Sequence, residues 1–285
     1  MKTTNVMKML AVVVAVSLVF TSCKKKKDET DSDTSAAADN ALAEGTFNDV
    51  HNIADQAAAG NLSSYIGTNN GSGNEDRGVM STCATVSVYA QNNSDNDTII
   101  INFGTTNCLC SDNRYRRGII NVVYSGHYAD SLSHHTITFT NYFVNDNQIL
   151  GSKTVTNNGR NSSGHPTFSI SVNGQIIKAS GGGTITWTSN RTREWVAGYN
   201  TLFPTTGWWT DDVYSITGSA SGTNAAGNAF TATIGTPLHR AMSCRWIDSG
   251  TIDLTPSGKP VRHFDFGTGA CDDQATVTIN GTTYN

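Results

Sequence analysis

Thr167-Phe168-Ser169-Ile170-Ser171-Val172-Asn173-Gly174, TFSISVNG, alternates large apolar with small polar side chains and then closes on Asn-Gly. Successive side chains of an extended strand point to opposite faces. Phe168, Ile170 and Val172 therefore share one face, and Ser169 and Ser171 the other. Asn-Gly tolerates positive φ at two consecutive residues, so Asn173-Gly174 predicts a two-residue hairpin turn.

The same grammar continues on both sides. TIIINF, GIINVVYSG, TITFTNYFV, TITWTS, DVYSI, AFTATI, GTIDL, VRHFDF and ATVTI are short runs of the β-branched and aromatic residues that fit a pleated, half-buried surface. Between them lie further turn signals, Ala225-Ala226-Gly227-Asn228, Thr255-Pro256-Ser257-Gly258 and Asn280-Gly281. Connections this short join antiparallel neighbours. The expectation over residues 80–285 is an all-β domain, a long antiparallel meander curling into an open barrel or a two-layer sandwich. The final strand after Asn280-Gly281 is short, as in a truncated chain.

One unit occurs twice. Phe103-Gly104-Thr105-Thr106-Asn107-Cys108 matches Phe266-Gly267-Thr268-Gly269-Ala270-Cys271, and each copy is preceded by strand, turn, strand and a further cysteine, Cys83 or Cys244. Opposed residues on an antiparallel ladder have numbers that sum to a constant. A two-residue loop at Ser257-Gly258 makes it 515, the sum for Cys244 and Cys271; a turn centred between residues 95 and 96 makes it 191, the sum for Cys83 and Cys108. Opposed α-carbons lie roughly 4.5–5.5 Å apart, within disulfide reach. Two disulfides follow, Cys83 with Cys108 and Cys244 with Cys271, leaving Cys110 as a free thiol or an alternative partner for Cys83. Cys108-Leu109-Cys110 lacks the four-ligand, wider spacing of structural zinc, and no metal ligand is assigned.

A single short helix is legible at residues 40–60, where Phe47, Val50, Ile53, Ala54 and Ala57 recur at three- and four-residue steps. Asp39 or Asn40 is positioned to cap its start and Gly60 to end it, and His51, one place past the stripe, reads as partly exposed. A Gly/Asn-rich linker, 61–79, follows. Upstream, residues 1–22 join a basic start (Lys2, Lys8) to an apolar run from Met9 to Phe20 and end on Thr21-Ser22 before Cys23. A bilayer crossing needs about 20 apolar residues, so this shorter run reads as an export signal. Residues 23–39, with KKKKDETDSD, have little to bury and read as a disordered tether.

Net charge is −4, or −6 once the two signal lysines are removed, which excludes a general nucleic-acid binder. The chain carries no GxSxG elbow, and Asp265-Phe266-Gly267, although it spells DFG, has no glycine-rich loop or HRD segment to accompany it. Beyond the helix the glutamates are Glu75 and Glu194, so carboxylate pairs for sugar hydrolysis would have to come from aspartates. His134 and His135 are adjacent at a turn and so point apart, which argues against a shared ion.

The segment 186–212 carries Trp187, Trp195, Trp208 and Trp209 among Arg191, Arg193 and Glu194. Exposed tryptophans stack on sugar rings and charged tips bond hydroxyls, so Trp208, Trp209, Arg191, Arg193 and Glu194 are candidate ligand-binding residues. Alternatively, Trp187 and Trp195 are core residues of a hairpin tipped by Ser189-Asn190-Arg191, with the arginines packed across them.

VFTSC followed by lysines resembles the lipobox of bacterial lipoproteins, and lysine followed by acidic residues resembles the surface-export signal of Bacteroidota lipoproteins. With AEGTFNDVHNIAD, TVTNNG, GTITWTSNRTREWVAGYNT, CRWIDSGTIDLTPSGKP and FDFGTGACDDQATVTING, nearly the whole chain is similar to Bacteroidota-type outer-membrane and surface lipoproteins, a group with no assigned activity. The resemblance implies lipidation at Cys23 by diacylglycerol and palmitate, and an outer-membrane anchor. The domain is expected to face the cell surface, with the periplasm as the alternative. It supplies no activity, so no catalytic residue is carried over and no cofactor is assigned. The expected function is a non-catalytic binding or structural β domain partnered by the membrane and by a glycan or envelope protein; a glycan-binding surface protein, a hydrolase and an adhesin are the alternatives.

Overall fold

The computed structural model describes residues 31, 33–65, 83–89, 96–125, 131–201, 210–244, 246–272 and 274–284. The signal segment, Cys23, residues 24–30 and 32 of the tether and residues 66–79 of the linker lie outside them, whereas residues 61–65, expected in the linker, continue the helix. Helix α1 (Ser35–Tyr65) precedes strands β1 (Thr85–Tyr89), β2 (Asn96–Asn102), β3 (Cys108–Leu109), β4 (Tyr115–Ser125), β5 (His134–Val144), β6 (Asn147–Arg160) and β7 (Pro166–Ile177). There follow β8 (Thr184–Ala197), β9 (Val213–Thr223), β10 (Ala229–Ile234), β11 (Leu238–Ala241), β12 (Ser249–Pro256), β13 (Arg262–Thr268), β14 (Thr276–Ile279) and β15 (Thr282–Tyr284). All pair antiparallel in one open sheet that runs from β1 to β15 almost in chain order, with β3 beside β4, and β11 between β9 and β12. The domain is thus an all-β meander with one N-terminal helix. Among the described residues no helix is long and apolar enough to cross a membrane.

Three of the turn readings hold. Gly227 and Gly258 adopt positive φ between β9 and β10 and between β12 and β13, and Asn280-Gly281 makes the two-residue turn that pairs Ile279 with Thr282. Asn173-Gly174 does not turn. It lies inside β7, where Gly174 pairs with Gly151 on one side and Trp187 on the other. Its glycine answers to packing: a Cβ on Gly174 would stand 2.0 Å from Cζ of Phe47, whose ring lies on the strand there. The β5–β6 hairpin instead turns on Asn145-Asp146, both at positive φ.

Both disulfides form, Cys83–Cys108 with α-carbons 5.6 Å apart and Cys244–Cys271 with 5.7 Å. The ladder arithmetic behind them fails. β1 pairs Thr85 with Asn102, a sum of 187, and β12 pairs Ile252 with Phe264, a sum of 516, so neither cysteine pair sits on its ladder. Each bridge closes just past the hairpin's open end, with Cys108 on β3, which pairs with β4 instead. What repeats faithfully is the corner. Gly104 (φ 80) donates its N–H to Asn102 Oδ1 at 2.8 Å, and Gly267 (φ 87) donates its own to Asp265 Oδ1 at 2.9 Å. Asn102 and Asp265 therefore do the same local work, and the glycine supplies the left-handed backbone the corner needs. Cys110 is a buried free thiol, pushed up by burial.

Helix α1 starts five residues before the predicted 40 and runs past Gly60. Asp33 Oδ1 accepts the N–H of Ser35 at 2.9 Å and satisfies an exposed helix-start donor. Asp39 and Asn40 are buried inside the helix rather than capping it. Ala43, Phe47, Val50, Ile53, Ala54 and Ala57 are at most 1% exposed and face the sheet's inner side. The helix lies across the strands. Asp33 pairs with Lys259 in the β12–β13 turn, Asp39 accepts the Ala225 N–H between β9 and β10 at 2.7 Å, and Asn40 accepts from Trp187 Nε1 on β8 at 3.0 Å. Phe47 covers Gly174 on β7, and Asp49 reaches Arg116 on β4 at 2.8 Å. Reading α1 forward thus reads the sheet backward.

Candidate functional site

Strand β8 is continuous through Ser189-Asn190-Arg191, so no hairpin tip exists there. With a period of two, its odd residues face α1 and its even residues face outward. Trp187 is 4% exposed and stacks on Phe47 with ring centroids 5.7 Å apart. Arg191 is also buried, its Nη2 3.4 Å from Glu44 Oε1 on the helix. Arg193 turns its Nη1 to His51 Nε2 at 3.2 Å and lies over the Phe168 and Tyr214 rings. Glu194 points the other way, accepting from Asn161 Nδ2 at 2.9 Å and meeting His165 Nδ1 at 2.7 Å. These two contacts hold the Glu194 carboxyl below its usual range.

The sequence-based ligand platform is therefore divided. Arg191 and Arg193 are committed to the helix, Glu194 to the opposite face, and Trp208 and Trp209 lie outside the described residues. At the end of β8, Trp195 donates Nε1–H to Asp212 Oδ1 at 3.2 Å and leans on Tyr214 and Tyr199, with Arg160 over the Tyr199 ring. Burial pushes the Asp212 carboxyl up to about 6, against the hydrogen bonds from Tyr214 and Trp195. Tyr199 and Asp212 of this partly exposed aromatic cluster lie on either side of residues 202–209 in the sequence.

A second cluster is buried between helix and sheet. His135 is 5% exposed and His51 4%, with parallel rings whose centroids lie 5.6 Å apart. This corrects the sequence reading, which has His51 partly exposed and His135 at a turn. Adjacency sends His134 and His135 to opposite faces, and so puts His135 inside, where a partner 84 positions earlier in the chain meets it. Asp55, one turn along the helix, sets Oδ2 3.3 Å from His51 Nε2. Lys153 on β6 is 1% exposed and donates to the Phe47 carbonyl oxygen at 2.9 Å.

Burial, reinforced by the charges of Lys153 and Arg193, drives His51 far below its usual range. Burial also holds His135 down at about 3 and Lys153 at about 7. Both imidazoles are thus neutral near pH 7, with a lone pair on one ring nitrogen each. One ring nitrogen each of His51 and His135 and one Asp55 oxygen lie within 4.8 Å of one another, the set of described residues best arranged to hold a metal ion.

Further along, Arg116 is fully buried and bonded to Asp49 at 2.8 Å and Asp112 at 2.7 Å. Burial works against its charge, but the two carboxylates outweigh burial and hold the guanidinium above its usual range. Comparison of the chain with protein-family models, curated proteins and solved structures found no match.

Proposed function

We propose that the protein is an exported envelope protein, lipid-anchored at Cys23, whose β domain is a non-catalytic binding or structural module. The observation that carries this reading is the pair of disulfides, Cys83–Cys108 and Cys244–Cys271, one toward each end of the sheet. Structural disulfides persist in oxidising compartments, and the signal-like segment before Cys23 accounts for arrival in one. The interior supports a rigid module, because helix side chains occupy the sheet's inner face from β4 to the β12–β13 turn. Palmitate labelling of cells expressing the full chain tests the anchor. The wild type is expected to carry label and sediment with membranes, and Cys23→Ala to lose both; an unlabelled wild type overturns the reading.

The glycan-binding reading draws support from the aromatic cluster of Trp195, Tyr199 and Tyr214 beside Glu194 and His165. Rings with a wet edge and adjacent charged tips suit sugar faces and hydroxyls. A glycan array probed with the wild type and with Trp208→Ala and Trp209→Ala decides it. Binding lost in the variants supports the reading, whereas no binding, or equal binding, removes it.

A further inference from the structure

We propose that His51, Asp55 and His135 bind one divalent transition-metal ion, Zn2+ foremost, and that this ion ties helix α1 to strand β5. Two imidazole nitrogens and a carboxylate oxygen form the donor set that favours zinc, nickel or copper over magnesium or calcium. In a tetrahedral zinc site ligand atoms stand about 3.3 Å apart, given bonds of about 2.0–2.1 Å. The three donors here already lie within 4.8 Å, so closing on an ion needs only small side-chain movements.

His51 supplies an independent sign. Its Nε2 stands 3.3 Å from Asp55 Oδ2 and its ring lies parallel to that of His135, centroids 5.6 Å apart, while Nδ1 has no hydrogen-bond partner that would hold the ring to one tautomer. Helical spacing of four places Asp55 beside His51 on one face, so the helix brings two ligands and the strand a third. The Asp55 side chain, 35% exposed, leaves a route from solvent.

Two cations face the site and oppose an ion. Lys153 directs its Nζ to the Phe47 carbonyl oxygen at 2.9 Å. Arg193, over the Phe168 and Tyr214 rings, sets Nη1 3.2 Å from His51 Nε2 and has to move aside if the ion binds that nitrogen. The ion is therefore held more weakly than in a site free of cations. This proposal does not rest on the lipoprotein reading.

The test uses the full chain stripped with chelator and titrated with Zn2+, Co2+ and Mg2+. One equivalent of Zn2+ is expected to bind and to raise the melting temperature, Co2+ to give the visible band of a low-symmetry site, and Mg2+ to do neither. His51→Gln and His135→Gln are each expected to weaken Zn2+ binding by roughly tenfold or more, since even a ligand's outer partner is worth about that much. His134→Gln, on the outward face, should leave binding unchanged. Should a variant not fold, the imidazole NMR signals of the wild type with Zn2+ decide, and shifts confined to His51 and His135 support the site. Failure to bind one equivalent, or shifts on His165, His239 or His263 instead, overturns it.

Discussion

At Gly174 the absent side chain matters more than the backbone. The Phe47 ring fills the place a Cβ would take, stacks on Trp187 and tilts against Phe139, so this one glycine lets a helix aromatic sink to the level of the strands. Gly174→Ala is expected to destabilise the domain by about 2–3 kcal/mol through overpacking. Combining it with Phe47→Leu should cost less than the two changes added, which chemical denaturation of the four proteins of the cycle would show. Lys153 makes a different prediction. Its pKa falls from 10.5 in the unfolded chain to about 7 in the folded one, so between those values the unfolded state holds the extra proton. Stability measured in chelator should therefore rise with pH across that window, by on the order of 5 kcal/mol, and fall back as pH drops toward 7. Lys153→Met should flatten that rise; an unchanged slope would reassign it to another group.

Among the elements, the strands were legible because alternation is a local pattern, and so was the stripe from Phe47 to Ala57. Asn173-Gly174 misled because its dipeptide signature is local, whereas the Phe47 ring that explains it comes from 127 positions away. The helix start was misplaced for the same reason. Asp33 and Asp39 look like tether until Lys259 and Lys178 appear opposite them. Arg191 and Arg193 look like a ligand surface until Glu44 and His51 do. The seat of α1 is most exposed to mutation at Arg116. Asp49→Asn leaves that buried cation short of a carboxylate and should cost about 3 kcal/mol in denaturant unfolding, with the far-UV signal retained. The hairpin staples make a separate prediction. Replacing Cys244 and Cys271 by serine opens a loop with a sequence separation of 27 and should cost about 3 kcal/mol, adding to the effect of removing Cys83–Cys108 because the two lie in separate hairpins.

At the scale of the molecule, a long open meander is kept in shape by three devices: a helix laid across its inner face, polar pairs that fix where each helix turn sits, and a covalent staple on the first hairpin and on the β12–β13 hairpin. The repeated FGT corner, legible as a twin motif, is part of the second staple's frame and of the first's. The proposed function places such a stapled domain outside the reducing cytoplasm, and that is the claim on which the functional account turns. Peptide-mapping mass spectrometry of the non-reduced protein recovered from membranes tests it most directly. The account predicts an N-terminal peptide that begins at a diacylated Cys23, linked peptides for Cys83–Cys108 and Cys244–Cys271, and an alkylatable Cys110. An unmodified Cys23 in a chain that still carries residues 1–22, with Cys83 and Cys244 free to alkylation, would contradict it.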